Sequence, residues 1–547
     1  MRFLTWGRGL ALLGAVTLVV YFYLALFVPG TLRYSPFTIQ DDARQFGTWW
    51  PQIRDPRLLQ GDPMAAYWRA VSPWGYRVPF NVAGWLGIDP LLFARLLPAA
   101  LIVLCLWQAW RLALKLTDTP GAAFFAAAFC FGYLVHDDSL FGATPRAFSP
   151  PLLLLALNAI VARRPWLAVA WLAVLSSIYP TTAVAGFGIL ALAQVRRGDL
   201  LPLVLPRRRI LPLVVAGVAI VLASLPLQNR SEPWGPVVTL QQALSMPNMN
   251  RPDGRSSIVD ENGDVAWVCS ARVGYLPEAV PCGWGIPGAI PINILVLMPL
   301  LLLALRSARD QPDPDTAARN RIYLHALVAC SVCFLAAAAV AFNLHFPGRY
   351  TQRILGPLEW LAIGQLLGGW LVDKGRGWTV AVVAFLTLVA ATPLPGFVRP
   401  SDPRLIRLIA RLPIGTRIAG ISADLDAVPA LTGRAITAAP EQAIPWHMAY
   451  YRPYEQRLIR SLELVSVPTA GQLAARLDTP FVLVDRAVLE RSQVPRRYAL
   501  IVPQAAAAAR AALARGPSAL QRAAGGCAIY RGRTAWLLDS ACLRRAR

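Results

Sequence analysis

Residues 9–29 read GLALLGAVTLVVYFYLALFVP, and this stretch decides the class of the fold. It holds 21 residues without a charge and follows a short basic start with Arg2 and Arg8. A helix that crosses the hydrocarbon core of a bilayer needs about 20 mostly apolar residues. A cleaved signal peptide has a shorter apolar core and a small-residue cleavage site, neither of which is evident here. We therefore expect an uncleaved first transmembrane span.

The composition of the whole chain also indicates a membrane protein. Of 547 residues, 56% are hydrophobic and 15% are charged, whereas a soluble protein carries about 25% charged residues. Mean hydropathy is +0.46. A cytosolic enzyme is therefore excluded. The net charge is +23, but the basic residues are scattered between apolar blocks, so we expect no nucleic-acid binding.

Ten further apolar runs predict a mainly α, polytopic helical bundle with about eleven spans. The runs cover residues 91–116, 120–135, 149–162, 165–178, 181–195, 210–227, 289–305, 322–343, 354–372 and 377–394. Two of them meet at Tyr179 and Pro180, where proline breaks or kinks a helix. They form either two short spans or one broken span. Lys and Arg concentrate in cytoplasmic loops. With a cytoplasmic N-terminus every short inside loop is basic, and this favours two spans.

This topology places three stretches outside. They are a first loop at residues 31–90 and a larger loop at 228–288, both within a transmembrane domain of residues 1–395, and a soluble domain at residues 396–547. The last stretch alternates short strands and helices, which predicts a small extracytoplasmic α/β domain. Its expected strands cover residues 417–422, 434–439, 480–484, 527–530 and 534–538.

Four of the eight cysteines fall in two of these outside stretches, two in the larger loop and two in the soluble domain. Disulfides persist in oxidising compartments. We therefore expect Cys269 to pair with Cys282 and Cys527 with Cys542. The alternative is four unrelated thiols.

Two adjacent carboxylates open the first outside loop, in the sequence TIQDDARQ at residues 38–45. Neighbouring side chains on a helix do not share a face. One of Asp41 and Asp42 is therefore expected to face a reacting centre while the other caps, pairs or binds a cation. A carboxylate in a partly dry pocket has a pKa raised toward the range of a general base. The alternative is an N-cap for a helix beginning at Ala43, with Arg44 pairing locally.

A second polar cluster follows the third span. His136, Asp137 and Asp138 together offer ligands for a divalent metal, although a solvated loop is the simpler interpretation. Arg146 lies a few residues further on and abuts an apolar run. Its guanidinium can hold a lipid phosphate through a bidentate fork, and the alternative is interfacial snorkelling.

A third cluster reads HFPGRYTQR at residues 345–353 and joins two outside span ends. Arg349 and Arg353, with Tyr350 and Gln352 between them, suit an anionic headgroup at this depth. The first outside loop is also rich in tryptophan. These rings either stack on sugar faces or mark the membrane interface; they are Trp49, Trp50, Trp68 and Trp74.

The layout of a first span, an acidic outside loop, about ten more spans and an outside α/β domain resembles the GT-C superfamily of integral-membrane glycosyltransferases. The nearest members are bacterial relatives of protein mannosyltransferases and of the lipid A aminoarabinose transferase. The chain is also similar to a group of bacterial multi-pass membrane proteins that share DDARQ at 41–45, ATPRAF at 143–148, YP at 179–180 and RYTQ at 349–352. The resemblance implies sugar transfer from a polyprenyl-phosphate donor, with Asp41 or Asp42 as base or metal ligand. Many such enzymes have an Asp-Glu pair, and this chain has Asp-Asp.

Together these patterns predict an inverting glycosyltransferase on the outer face of a bacterial plasma membrane, acting on an envelope acceptor. Asp41 or Asp42 would deprotonate or orient the acceptor hydroxyl, and fixed cations would stabilise the leaving phosphate. The expected cations are Arg44, Arg146, Arg349 and Arg353, supported by His136, Asp137, Asp138, Tyr350 and Gln352. The expected partners are the bilayer and a polyprenyl-phosphate-linked sugar, and the need for a divalent cation stays open. The alternatives are a transporter or flippase of lipid-linked saccharides and a non-catalytic envelope-assembly protein.

Overall fold

A computed structural model describes residues 37–136, 138–195, 207–277, 282, 292–308, 314–372, 397–398, 400 and 402–546. The first expected span, residues 9–29, and the last, residues 377–394, lie outside the described residues. The described part is mainly helical, with one two-stranded and one five-stranded sheet.

The helices up to residue 372 build the part of the chain that precedes the larger sheet. Their bounds are α1 (Ala43–Phe46), α2 (Pro51–Arg54), α3 (Pro63–Val71), α4 (Trp74–Trp85), α5 (Pro90–Leu116), α6 (Pro120–His136), α7 (Ser149–Val161), α8 (Pro165–Ile178), α9 (Pro180–Gln194), α10 (Arg207–Ser231), α11 (Leu240–Ser245), α12 (Ile292–Ala308), α13 (Pro314–Ala339) and α14 (Gly348–Val372). Several begin with proline, whose missing N–H does no harm in the first turn. The Asp89 carboxylate caps α5 by accepting from the backbone N–H groups of Leu91 and Leu92.

Each expected apolar run that lies in the described ranges falls on one helix, from α5 to α14. Among the described residues, three helical stretches are long and apolar enough to cross a membrane: Pro90–Leu116, Arg209–Leu227 and Arg319–Ala339. Five others are apolar but shorter. A helix of 14 residues, such as α8, is about 21 Å long, against a hydrocarbon core of about 30 Å. The described helices therefore include fewer full-length spans than the apolar runs predict.

Helices α8 and α9 form a hairpin that turns at Tyr179. A Cβ atom added to Gly186 would lie 2.7 Å from the Cδ2 of Leu172. These two residues lie at equal distances from the turn, one on each helix, as antiparallel packing requires. The geometry favours two separate segments over one broken span.

Basic residues at one set of helix ends contact the ends of neighbouring helices. The Lys115 Nζ at the end of α5 donates to the Asn158 carbonyl and Oδ1 atoms near the end of α7, both at 2.8 Å. Arg319 pairs with Asp118 at 3.0 Å. These contacts place the basic termini of α5, α7 and α13 at one end of the bundle.

The tryptophans of the first outside loop are mostly core residues, contrary to both readings of the sequence. Trp49, Trp50 and Trp68 are 2%, 1% and 5% exposed. The Trp68 Nε1 donates to the Gln442 Oε1 at 2.8 Å and so joins the loop to the C-terminal region. Trp74 is the exposed member of the four, and a membrane-interface role is retained for it alone.

Seven strands are described. They are β1 (Ile39–Gln40), β2 (Phe397–Val398), β3 (Arg417–Ile421), β4 (Ala435–Ile436), β5 (Phe481–Asp485), β6 (Ala528–Arg531) and β7 (Ala535–Asp539). The larger sheet has the order β4-β3-β5-β7-β6. Strands β4, β3 and β5 are parallel, and β7 and β6 are antiparallel additions. Its central strands are almost fully buried, as expected for a sheet covered on both faces.

Helices surround this sheet and complete the C-terminal region. Their bounds are α15 (Pro403–Arg411), α16 (Val428–Thr432), α17 (Met448–Ser466), α18 (Ala470–Arg476), α19 (Arg486–Arg491), α20 (Arg496–Ile501), α21 (Pro503–Ala514), α22 (Ala519–Cys527) and α23 (Ser540–Arg545). Strand β2, just before this region, pairs antiparallel with β1, so that Ile39 lies opposite Val398. The start of the acidic loop is thereby attached to the start of the C-terminal region.

Asp485 ends β5 and accepts a hydrogen bond from the Ala423 N–H at 3.3 Å. Burial raises the pKa of its carboxyl from 3.8 to about 6, and Asp424 and Asp426 act in the same direction. Between about pH 4 and 6 the folded protein holds a proton that the unfolded chain has lost. The free energy of unfolding therefore falls as the pH rises through this window.

Asp485→Asn removes this penalty because the amide carries no charge. We expect the variant to be more stable than the wild type by about 1–3 kcal/mol at neutral pH, with the gain vanishing below about pH 4. Thermal unfolding of both proteins in detergent across this pH range measures it. An equal gain at both ends of the range would contradict the assignment.

Two disulfides are present in the described residues. Cys269 pairs with Cys282, with a Cα–Cα distance of 5.6 Å. Cys527 pairs with Cys542 at 5.4 Å and links α22 to α23 across the β6–β7 hairpin, with a sequence separation of 15. Both are the pairings that the sequence leads us to expect.

Loss of the second bridge is expected to destabilise the C-terminal region. A disulfide that closes a loop of about 15 residues contributes about 3 kcal/mol, mainly by restricting the unfolded chain. We expect Cys527→Ser with Cys542→Ser to lower the free energy of unfolding by about 2–4 kcal/mol. Reduction of the wild-type protein breaks both bridges, so its loss of stability should be at least as large as that of the variant. An unchanged unfolding transition in the variant would count against a structural role for this bridge.

Candidate functional site

The acidic pair lies between β1 and α1. Asp42 occupies the N-cap position of α1 but makes no capping hydrogen bond with its side chain. The Gln40 Oε1 accepts from the Ala43 N–H instead, at 3.0 Å. The alternative is therefore confirmed in part: the helix begins at Ala43 with Asp42 in the N-cap position, and Arg44 pairs locally with Asp41, but the Asp42 side chain does not cap the helix.

The Asp42 carboxylate forms an ion pair with the guanidinium of Arg146. Both side chains are mostly buried, with 22% and 18% of their surfaces exposed. Arg146 lies in a 3-10 helix, Pro145–Phe148, that leads directly into α7. The first outside loop and the end of a helix far along the chain thus meet at this pair.

Arg146 belongs to a group of four arginines, here called the arginine cluster: Arg146, Arg272, Arg349 and Arg353. The positive charges of the other three act electrostatically on Arg146. Arg349 and Arg353 lie in the first turns of α14, and Arg272 lies in the loop that follows Cys269. Arg146 lies just before the first turn of α7, at the end of that helix opposite Asn158.

The positive charges of this cluster act on Tyr179, which lies at the turn between α8 and α9. Burial raises the pKa of its phenol, but the charges of Arg349, Arg353 and Arg146 outweigh burial and lower the pKa overall. An environment that lowers the pKa of a buried phenol, against the effect of burial, has a positive potential. The same potential favours any anion that reaches this position.

His345 is neutral beside the cluster. Burial lowers the pKa of its imidazole to about 3, and the charges of Arg349, Arg272 and Arg146 contribute. The Phe346 N–H donates to its Nδ1 at 2.8 Å, so the ring proton is on Nε2. His345 therefore adds no further positive charge to the site.

The backbone is strained on both sides of the cluster. Ala143, Phe342 and His345 have φ values of 48°, 63° and 75°, which are in the left-handed region that such residues avoid. Ala143 precedes Arg146 by three residues, and His345 precedes Arg349 by four. Backbone strain of this kind persists where the surrounding structure enforces it, and it concentrates at functional sites.

Tyr350 and Gln352 hold the loops around the cluster. The Gln352 Nε2 donates to the carbonyl oxygens of Ser270 at 2.6 Å and Gly274 at 3.2 Å. The Tyr350 hydroxyl donates to the Leu344 carbonyl at 2.6 Å. The Gly348 N–H donates to the Arg272 carbonyl at 3.2 Å, which ties the loop of the first disulfide to α14. Tyr350 and Gln352 are thus supports for the site.

Arg44 is separated from the cluster by its contacts, contrary to its expected role at the donor phosphate. Its guanidinium pairs with Asp41, with Glu441 at 2.9 Å and with Asp426 at 3.5 Å. The side chain is 2% exposed. This guanidinium already pairs with three carboxylates, whose negative charges disfavour a phosphate beside it. We therefore reassign Arg44 from phosphate binding to holding the acidic loop.

The cluster at residues 136–138 is described in part. His136 ends α6 and Asp138 begins the 3-10 helix Asp138–Phe141, but their side chains are not described, and Asp137 lies outside the described residues. Among the described residues no group of three His, Cys, Asp or Glu side chains could hold a metal. Asp41 and Asp42 are already neutralised by Arg44 and Arg146. We derive no step through a divalent cation.

The sequence reading missed several members of this arrangement. Arg272 lies in a loop with no motif, and the one feature of the sequence that could have indicated it is its position three residues after Cys269. Asp426, Glu441 and Arg255 could not be recognised as members, because the partners that join them to the site are 186 to 397 residues away in the chain. Tyr179 was visible as a helix break but not as a residue beside arginines.

Comparison with known proteins finds similarity among solved structures. No family model matches the chain, and no curated protein matches its sequence. Among solved structures, the chain is similar to the archaeal oligosaccharyltransferase AglB from Archaeoglobus fulgidus, in complex with an inhibitory peptide and a dolichol-phosphate. The TM-score is 0.44 at 13% identity, over 88% of this chain and 70% of that one. Similarity at this level does not establish a shared fold or activity.

Proposed function

We propose that the protein is a membrane glycosyltransferase that moves a sugar from a polyprenyl-phosphate-linked donor to an envelope acceptor. The observation that carries this proposal is the ion pair of Asp42 with Arg146 inside the arginine cluster. A carboxylate beside concentrated positive charge, at the ends of apolar helices, offers a base next to a site for a lipid phosphate.

The reaction breaks the bond between the sugar's anomeric carbon and the phosphate oxygen of the donor. A bond from that carbon to the acceptor's hydroxyl oxygen forms on the opposite face of the sugar, which inverts its configuration. The hydroxyl proton passes to the Asp42 carboxylate, and polyprenyl phosphate leaves as an anion. Arg146, Arg349 and Arg353 stabilise the charge that develops on the phosphate.

Donor binding and base activation are coupled through Arg146. In the free protein this guanidinium neutralises Asp42. A phosphate bound to the arginine cluster competes for Arg146 and places a second negative charge near the carboxylate. Both effects raise the proton affinity of Asp42. The base therefore becomes effective when the donor is in place, while Asp41, the more exposed carboxylate at 40%, faces the side from which an acceptor enters.

We assign the site to the outer face of a bacterial plasma membrane. One disulfide lies in the 228–288 loop that carries Arg272 of the cluster, the other lies in the C-terminal region, and both favour an oxidising compartment. The basic residues at the other helix ends favour the cytoplasm on that side.

Lipid-phosphate binding tests the proposed site. Full-length protein in detergent is mixed with polyprenyl phosphate and examined by native mass spectrometry, with polyprenol as the matched lipid that lacks phosphate. We expect a single bound polyprenyl phosphate, lost when Arg146 and Arg349 are both replaced by Gln, and no binding of polyprenol. Equal binding of both lipids would remove the support for a phosphate site.

A further inference from the structure

Two buried carboxylates of the C-terminal region face the acidic loop. Asp426 ends the 3-10 helix that follows β3, and Glu441 lies in the 3-10 helix that follows β4. Strands β3 and β4 are parallel neighbours, so both carboxylates lie at the same edge of the sheet. Ligands and partners of parallel sheets meet the carboxyl ends of the strands. Here the carboxyl ends of β3 and β4 are contacted by Arg44 and Gln45.

Arg44 links this edge to the acidic pair. Its Nη2 contacts the Glu441 Oε2 at 2.9 Å and also the Asp41 carboxylate, while its Nη1 lies 3.5 Å from the Asp426 Oδ2. Its Nε donates to the Asp41 carbonyl at 3.1 Å. The planar, buried guanidinium therefore fixes both the side chain and the backbone of Asp41 relative to the C-terminal region.

The residues beside Arg44 are attached to the same edge. The Gln45 Nε2 donates to the Glu441 Oε1 at 2.5 Å and to the Glu441 carbonyl at 3.1 Å. The Gln442 Nε2 donates to the Arg44 carbonyl at 3.2 Å. The segment that carries Asp41 and Asp42 is thus held by side-chain and backbone contacts just after the acidic pair.

The network is balanced in charge. Two further arginines complete it: Arg255 pairs with Glu441, and Arg497 lies 3.0 Å from Asp426 and 3.6 Å from Glu441. Burial raises the pKa of Asp426, whereas at Glu441 the charges of Arg255 and Arg44 outweigh burial and lower the pKa. Three carboxylates therefore meet three guanidinium groups: Asp41, Asp426 and Glu441 against Arg44, Arg255 and Arg497. Removing one member leaves a buried charge without compensation.

We propose that Glu441 and Asp426 are positioning residues for the reaction: they fix Arg44 and thereby hold Asp41 and Asp42 in the reactive arrangement. This inference rests on the proposed function. It makes the C-terminal region a part of the active site, because the acidic pair keeps its place only while this region is docked. The ion pairs described for Glu441 and Asp426 are with Arg44, Arg255 and Arg497, so we expect donor binding to depend on these two carboxylates less than turnover does.

The kinetic test compares Glu441→Gln and Asp426→Asn with wild-type protein, using the full chain in detergent. The control is Glu463→Gln, which removes an exposed ion pair with Arg476 of the same region. We expect kcat to fall at least tenfold in both buried variants, with the donor KM changed less than threefold. Unchanged kcat, or a rise in KM as large as the loss of kcat, would overturn a positioning role.

The pH profile separates positioning from loss of fold. The charges facing the acidic pair are Arg44, Asp426 and Glu441 on one side and the arginine cluster on the other. Glu441→Gln removes a negative charge, so the carboxylate of the pair is stabilised and the acid limb of kcat moves to lower pH. Glu441→Asp keeps the charge, so its limb should stay at the wild-type position while kcat falls less. An unmoved limb in Glu441→Gln would contradict the proposal.

Hydrogen exchange distinguishes failure of this inference from failure of the proposed function. Backbone amides of residues 41–46 are followed by mass spectrometry, which needs no substrate. We expect faster exchange there in Glu441→Gln and, should that variant not fold, in Glu441→Asp, with Glu463→Gln like the wild type. If exchange is faster in the variant but the wild-type protein transfers no sugar, the positioning contact is supported and the transferase proposal is contradicted. Unchanged exchange would remove the positioning contact itself.

Discussion

Replacing Asp41 and Asp42 together by Asn is expected to abolish sugar transfer, with a loss of about 10²–10⁴-fold or more. Asn accepts no proton from the acceptor hydroxyl, and it does not pair with Arg146 in the ground state. Because Asp42 is the partner of Arg146, we expect Asp42→Asn alone to account for most of the loss. Turnover of a labelled donor measures the effect.

The matched control for the acidic pair is Asp118→Asn. Asp118 also pairs with an arginine, Arg319, but at the opposite end of the bundle. The control should retain wild-type turnover, and all variants should insert as the wild type does. Full activity in the Asp41→Asn, Asp42→Asn double variant would exclude these residues from the chemistry.

Replacing Arg146 or Arg349 by Met is expected to lower kcat/KM for the donor by about 10²–10³-fold. Fixed cations at a leaving phosphate act in a partly dry site, where each is worth several kcal/mol in the transition state. Met keeps the apolar volume of the arginine stem and removes the charge. Steady-state kinetics against donor concentration separate the rise in KM from the fall in kcat.

A charge-preserving variant sharpens this second prediction. Arg146→Lys keeps a cation but loses the planar fork that binds two phosphate oxygens. Its kcat/KM should lie between those of wild type and Arg146→Met. Arg319→Met, at the other end of the bundle, should behave as the wild type. Wild-type kinetics in both Arg146→Met and Arg349→Met would separate the cluster from donor binding.

The helical layout could be read from the sequence because apolar runs and prolines are local signals. The run at residues 91–116 and helix α5 coincide within a residue at one end, where Asp89 caps the helix. The strands of the C-terminal region were similarly visible, since buried parallel strands form short apolar runs. Strand β5 is such a run, with Val482, Leu483 and Val484 fully buried.

The site could be read only in part, because charge pairing depends on tertiary contacts. The sequence indicated Asp42, Arg146 and Arg349 as charged residues at outside span ends. It could not show that Arg44 meets a carboxylate 382 residues away in Asp426, and a local ion pair was the natural expectation. The burial of the tryptophans was missed for the same reason, because it depends on tertiary partners such as Phe80 for Trp50 and Gln442 for Trp68.

Turnover of a polyprenyl-phosphate-linked sugar by the purified full-length protein tests the central claim most directly. The readouts are labelled sugar on an acceptor and free polyprenyl phosphate, with the Asp41→Asn, Asp42→Asn variant in parallel. We expect wild-type protein to release polyprenyl phosphate and the variant to leave the donor intact. Donor that is bound, or carried across a bilayer, yet recovered unchanged with every sugar and acceptor tested would contradict a transferase and favour transport.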